Sequence, residues 1–131
     1  EYQRWVIKPS FDICSELKRR YPDVKIIGFP RGVGVGYVDF ASKVGVDGVA
    51  IDTSVPPKWA AEFLQNQVTV QGNLDPIVLI EGGEKMIDQA RHIRESLQNG
   101  PFIFNLGHGV LPTTPVENLI TLAEFLRAPL E

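Results

Sequence analysis

Apolar residues recur along this chain at two periods, and the alternation between them lays out the elements. Over residues 2–20, Val6, Ile13 and Leu17 return on a roughly helical spacing among Glu, Lys and Arg, with Trp5 beside them and Pro9 as a first-turn residue or kink. A helix is expected there. Residues 25–29 are short and apolar and run into Pro30, Arg31 and a glycine cluster, the pattern of a buried strand ending in a loop. Tyr37, Phe40, Ala41 and Val44 then repeat at i, i+3, i+4 and i+7, and Gly45 stands where such a helix stops. Residues 48–52 read as a second buried strand.

The alternation continues to the end of the chain. Ser54 with Pro56 and Pro57 introduces a helix whose Trp59, Ala60 and Phe63 share a face. Residues 68–71 form a third strand with a loop over 72–76. Residues 84–97 follow as a helix with Ile87 (or Met86), Ala90, Ile93 and Leu97 inward and Arg91–Glu95 as an exposed i,i+4 pair. A fourth strand over 102–105 leads into Leu106-Gly107-His108-Gly109. Thr114-Pro115-Val116-Glu117 announces the closing helix as a capping box with Pro at the first helical position, and Val116, Leu119, Ile120, Ala123 and Leu126 form its inward face.

The order is thus a helix and then four strand–helix units, with strand starts about 21 to 33 residues apart, which suits a parallel α/β sheet with helical crossovers. Two architectures fit: a small doubly wound domain, or part of a (β/α)8 barrel, of which four units are half. Pattern alone leaves both open, since both use buried parallel strands.

Composition narrows the function. At 131 residues and 44% apolar content the chain can bury a core without cross-links, and its single cysteine, Cys14, cannot form an internal bridge. Cys14 is expected to be packed on its helix. The net charge of -3, with no run of Lys or Arg, argues against nucleic acid or anionic lipid as partner. No apolar run approaches the roughly 20 residues that span a bilayer, and the start lacks a signal-peptide pattern, so a cytoplasmic location is expected. The chain opens at Glu1, which raises the expectation of a piece of something longer.

In either architecture ligands bind at the carboxyl ends of the strands. Phe29, Pro30 and Arg31 stand after the first strand, Asp52 after the second, Gln71, Asn73 and Asp75 after the third, Asn105 and His108 after the fourth. The segment Arg31-Gly32-Val33-Gly34-Val35-Gly36 mimics a dinucleotide fingerprint, with Asp52 near the spacing of a ribose-binding carboxylate, but Tyr37 occupies the position of the last glycine. A flexible turn into a short helix is the better reading. His108, bracketed by Gly107 and Gly109, can meet a ligand or relay a proton, or it merely bonds its own loop. His92 lies on the polar side of its helix and is expected to be solvated. Asp75, before Pro76, reads as a turn and cap residue; Asp52, beside Thr53 and Ser54, is a ligand contact or a helix cap. What emerges is an anion-tolerant pocket built on His108 and Arg31.

Three strings carry a resemblance: Ile26-Ile27-Gly28-Phe29-Pro30-Arg31-Gly32, Val70-Gln71-Gly72-Asn73-Leu74-Asp75-Pro76, and Phe104-Asn105-Leu106-Gly107-His108-Gly109-Val110-Leu111-Pro112 followed by Thr114-Pro115-Val116-Glu117-Asn118. In order and wording they resemble the carboxyl-terminal portion of the uroporphyrinogen decarboxylase family, bacterial members above all. The resemblance implies a (β/α)8 barrel in which residues 1–131 form one partial domain, the last four strand–helix units plus the preceding helix. It implies removal of the four acetate carboxyl groups of uroporphyrinogen III, giving coproporphyrinogen III in haem biosynthesis, with no metal or organic cofactor, by a cytoplasmic homodimer. His108 matches the family's pocket histidine, both substrate-binding and catalytic; Arg31 is a secondary anion contact. The family's other site elements (an arginine-rich segment, an aspartate that grips the pyrrole nitrogens, a tyrosine and a serine or threonine) lie upstream of this region. Where the family often has tryptophan after its counterpart of Asp52, this chain has Thr53, so that tip packs differently. Alternatives from other classes are a corrinoid-linked methyl-transfer barrel, disfavoured because Cys14 is the only possible thiolate, and a non-catalytic nucleotide-binding α/β module.

Overall fold

Four stretches of two to six residues are too short to bury themselves as helices and pair side by side instead. A computed structural model describes residues 1–130. It contains the strands β1 (Ile27–Gly28), β2 (Gly48–Ala50), β3 (Thr69–Leu74) and β4 (Phe102–Leu106), all parallel, in the order β1-β2-β3-β4. A π-helical turn, Gln3–Ile7, leads into α1 (Lys8–Arg20), and α2 (Gly36–Lys43), α3 (Pro57–Phe63), α4 (Pro76–Glu81), α5 (Gly83–Leu97) and α6 (Val116–Arg127) follow between and after the strands.

The register decides between the two architectures. Val49 pairs with Val70, and both are fully buried beneath the helices, while the next layer, Ala50 to Gln71 to Ile103, turns the other way. On that opposite face Ile27 and Ile103 remain 44% and 43% exposed. Helices cover one face only, and strand order follows chain order without reversal, as in a barrel and not in a doubly wound sheet. The chain forms four consecutive units of a (β/α)8 barrel whose interior side is open.

The core sits between the sheet and the helices, where Tyr37, Val49, Leu64, Val70, Leu79, Met86 and Leu97 are buried. On α5 the stripe Met86, Ala90, Ile93 and Leu97 faces inward, with Ile87 half-buried at its edge. The expected Arg91–Glu95 pair does not form among the described residues. Arg91 instead lies over the Phe125 ring, 5.3 Å from its centroid, and Arg94 donates to the Phe125 and Ala128 carbonyls, tying α5 to the end of α6.

Other departures from the sequence reading have local causes. In the first helix Ile7 and Cys14 are buried, whereas Trp5, Ile13 and Leu17 are exposed, because Trp5 and Ile13 line an open groove along β1 with Ile26 and Phe29. On α3 Ala60 is buried and Trp59 half-buried, while Phe63 stays exposed against the Trp59 ring. The closing helix has no capping box: Pro115 is extended (ψ 133°), the helix starts at Val116, and the buried Thr114 hydroxyl has no partner among the described residues. Its inward stripe is Leu119, Leu122, Ala123 and Leu126, so Val116 and Ile120 fall to one side and are exposed.

The largest boundary difference is β3, which runs three residues past the expected 71. Gly72 and Asn73 carry turn chemistry in sequence but here continue the ladder opposite Phe104 and Asn105. Gly72 has φ +147°, and a Cβ there would lie 2.9 Å from the Ile51 side chain and carbonyl, so the glycine serves a close strand approach. Gly72→Ala is expected to cost about 1–3 kcal/mol, read from the urea midpoint. Asp75 then caps α4, a short helix the sequence reading did not separate, which Gly82 and Gly83, both at positive φ, divide from α5.

Candidate functional site

The strand tips converge because the curved sheet brings them together. After β4 the Gly107 N–H donates to the Leu74 carbonyl at the end of β3, and Gly107 rests on Thr53 beyond β2, where a Cβ would meet the Thr53 nitrogen at 2.7 Å. This glycine thus serves a close backbone crossing. The crossing carries His108 to the β1 side, where the Arg31 guanidinium lies 3.2 Å from its Nε2 and the Phe29 ring centroid 6.5 Å away. Arg31 can only donate, so Nε2 accepts and the neutral ring carries its proton on Nδ1.

His108 is exposed and lines a cleft of about 390 Å³ on the interior side of the sheet, with Phe29, Ala50, Gln71, Asn105 and Val110. The tips of β1 and β4 thus meet at one space through Phe29 and His108, with Arg31 beside the His108 ring, while Gln71 and Asn105 add neutral polar groups. The arrangement can hold an anion against Arg31 and the His108 Nδ1–H, and the ring can take a proton at Nε2 once Arg31 turns from it to the anion.

The remaining candidates go elsewhere. Asp52 is buried and faces neither the cleft nor a helix end; its Oδ2 accepts from the Gly32 N–H (2.8 Å) and the Tyr37 hydroxyl (2.9 Å), its Oδ1 from the Ser54 N–H and hydroxyl. The spacing that imitated a nucleotide fingerprint is this internal tie, with the Gly32 N–H already occupied. Burial alone raises the Asp52 pKa, but the bonds from Ser54, Gly32 and Tyr37 outweigh it and bring the carboxyl from 3.8 down to about 2. Burial, first, and the neighbouring carboxylate push the Tyr37 phenol well above its ordinary range.

A depressed carboxyl stabilises the fold above its unfolded pKa, so this contribution is complete above about pH 4 and is lost as pH falls toward 2. Roughly 2 kcal/mol is at stake. Urea midpoints across that window are expected to fall in the native chain and to stay flatter in Asp52→Asn.

Asn73 is also buried, its amide donating to the Asp52 and Val55 carbonyls at 2.8 Å. With Asp75, Ser54, Gln89 and His92 it lines a separate groove between the β2 loop and α5. Asp75 accepts the Ile77 N–H as the cap of α4, and His92 is exposed on α5, as their sequence settings suggest. Cys14 is buried. Sequence reasoning missed Tyr37, taken there as one apolar position among four; a buried tyrosine hydroxyl requires a partner, and that requirement was the available signal. No helix of the described residues is long and apolar enough to cross a membrane.

Residues 1–129 match the family model described as uroporphyrinogen decarboxylase (URO-D). A uroporphyrinogen decarboxylase of Rhodospirillum rubrum is 50% identical over 129 residues, which is 98% of this chain and 37% of that protein. One of Jannaschia sp. is 49% identical over 127 residues, 97% of this chain and 37% of its own length. The chain thus spans a little over a third of the curated relatives it matches. Among solved structures, a methyltransferase from Methanosarcina mazei superposes with a TM-score of 0.73 at 18% identity, covering 95% of this chain and 35% of that one, a likeness of fold.

Proposed function

The chain belongs to the uroporphyrinogen decarboxylase family, and from that premise we propose that it supplies the last four strand–helix units of a barrel that decarboxylates uroporphyrinogen III to coproporphyrinogen III. The observation that carries this reading is the His108 ring, held beside the Arg31 guanidinium at the mouth of an interior cleft.

Decarboxylation breaks a C–C bond and leaves an electron pair that needs a sink. A pyrrole protonated on carbon accepts that pair; carbon dioxide leaves, a proton takes its place, and an acetate side chain becomes a methyl group. The pyrrole is its own sink, so the protein's tasks are to seat a polyanion, favour the cation formed on protonation and move protons. With Nε2 engaged by Arg31, the His108 Nδ1–H is left to donate to a substrate carboxylate, and Arg31 adds a second positive contact. The reaction needs no added cofactor in this reading, and the completed enzyme works as a cytoplasmic homodimer.

An open half barrel leaves strand edges and the interior apolar residues Ile27 and Ile103 facing water. The chain alone is therefore expected to bind porphyrinogen weakly and to turn none over. Mixing it with the amino-terminal part of the Rhodospirillum rubrum relative should restore coproporphyrinogen formation, followed under anaerobic conditions. Turnover by the chain alone contradicts the reading, as does a mixture that associates and stays inactive.

A further inference from the structure

We propose that Asp52 is a positioning residue for Arg31: by gripping the Gly32 backbone from beneath, it holds the guanidinium against His108, where the two receive one carboxylate of the substrate. The inference rests on the reading of the cleft given above and adds to it a residue that never touches the ligand.

The geometry is specific to a carboxylate. Asp52 receives four donors, two on each oxygen, and its own N–H donates to the Tyr37 hydroxyl at 3.1 Å, so Tyr37 and Asp52 clasp each other twice. An acceptor with two oxygens satisfies this set; an amide, with one oxygen and an NH2, turns a donor toward donors. The loop above depends on the tie. A Cβ placed on Gly32 or Gly34 meets nothing within 4 Å, so these two glycines stand clear of the rest of the protein, Gly32 has φ +78°, and only Val33 between them packs toward the core. Its bond to Asp52 anchors it immediately beside Arg31, and the Tyr37 end of the clasp lies on α2, the helix into which the loop runs. Released from Asp52, an exposed arginine on a glycine-rich turn spends its time among many rotamers, and that ordering cost then falls on substrate binding.

The test is a double-mutant cycle in the barrel completed with the amino-terminal part of the Rhodospirillum rubrum relative. Asp52→Asn and Arg31→Ala are each expected to raise KM about 10-fold while lowering kcat far less, and the double variant to be no worse than Arg31→Ala alone. Should Asp52→Asn fail to fold, Tyr37→Phe, which removes one donor and keeps the carboxylate, is expected to raise KM about threefold and to lose that effect in the Arg31→Ala background. Effects that add to those of Arg31→Ala, or an unchanged KM in the folded variant, overturn the proposal. The cleft reading fails separately, if His108→Ala is fully active.

Discussion

Replacing His108 with Ala in the completed barrel is expected to lower decarboxylation by about 100-fold or more, with little change in stability. The two halves of that expectation have different origins. The ring is exposed on the loop after β4 and packs only loosely, at 6.5 Å from Phe29, so its removal opens no cavity. Its chemical loss is larger: the cleft loses a donor at Nδ1 and Arg31 loses the acceptor that orients it. One positioned donor or proton-transfer group at a site closed to water commonly contributes two to three orders of magnitude in rate. His108→Gln, which keeps a donor without the titrating ring, is expected to fall between. Circular dichroism and urea unfolding verify that the loss is chemical, and full activity in a folded His108→Ala removes the residue from the site.

Asn73→Ala is expected to be the most destabilising single change at the strand tips, at about 2–4 kcal/mol. Its amide bridges the carbonyls of Asp52 and Val55, both 2.8 Å away, from a position 6% exposed. Truncation strands the Val55 carbonyl, leaves the Asp52 carbonyl with only the Val55 N–H at 3.2 Å, and opens a small void beside them. The damage should reach Asp52, whose carbonyl is one of the two, so activity of the folded fraction is also expected to fall, with KM rising as in the Asp52 variant. A urea midpoint within about 0.5 kcal/mol of native contradicts this role.

Much of the fold was legible because parallel strands buried by helices are short apolar runs and their crossovers carry a helical period. Residues 48–50 and the stripe of α5 were readable for that reason. Solvent-facing apolar residues were not. Ile13, Leu17, Val116 and Ile120 have the spacing of a core face, yet periodicity reports only that residues share a face and not that anything covers it. Gly72 and Asn73 misled because turn-forming residues can also serve a strand where another backbone passes close.

The site was legible in its residue types and less so in their roles. His108, Gln71 and Asn105 do come to one cleft, and Arg31 reaches it only through its contact with the His108 ring. Asp52 and Asn73 stand at the same strand tips in sequence but turn away from the cleft and bond the frame beneath it, a difference set by side-chain direction, which spacing alone does not encode. Tyr37 hid as an apolar position because its ring packs in the core while its hydroxyl serves Asp52.

The most direct measurement is product analysis on the single polypeptide made by joining this chain to the amino-terminal part of the Rhodospirillum rubrum relative. Supplied with uroporphyrinogen III in the absence of oxygen, it is expected to release one carbon dioxide for each acetate side chain and to accumulate coproporphyrinogen III. A joined protein that folds, binds the porphyrinogen and leaves all its acetate groups intact contradicts the account.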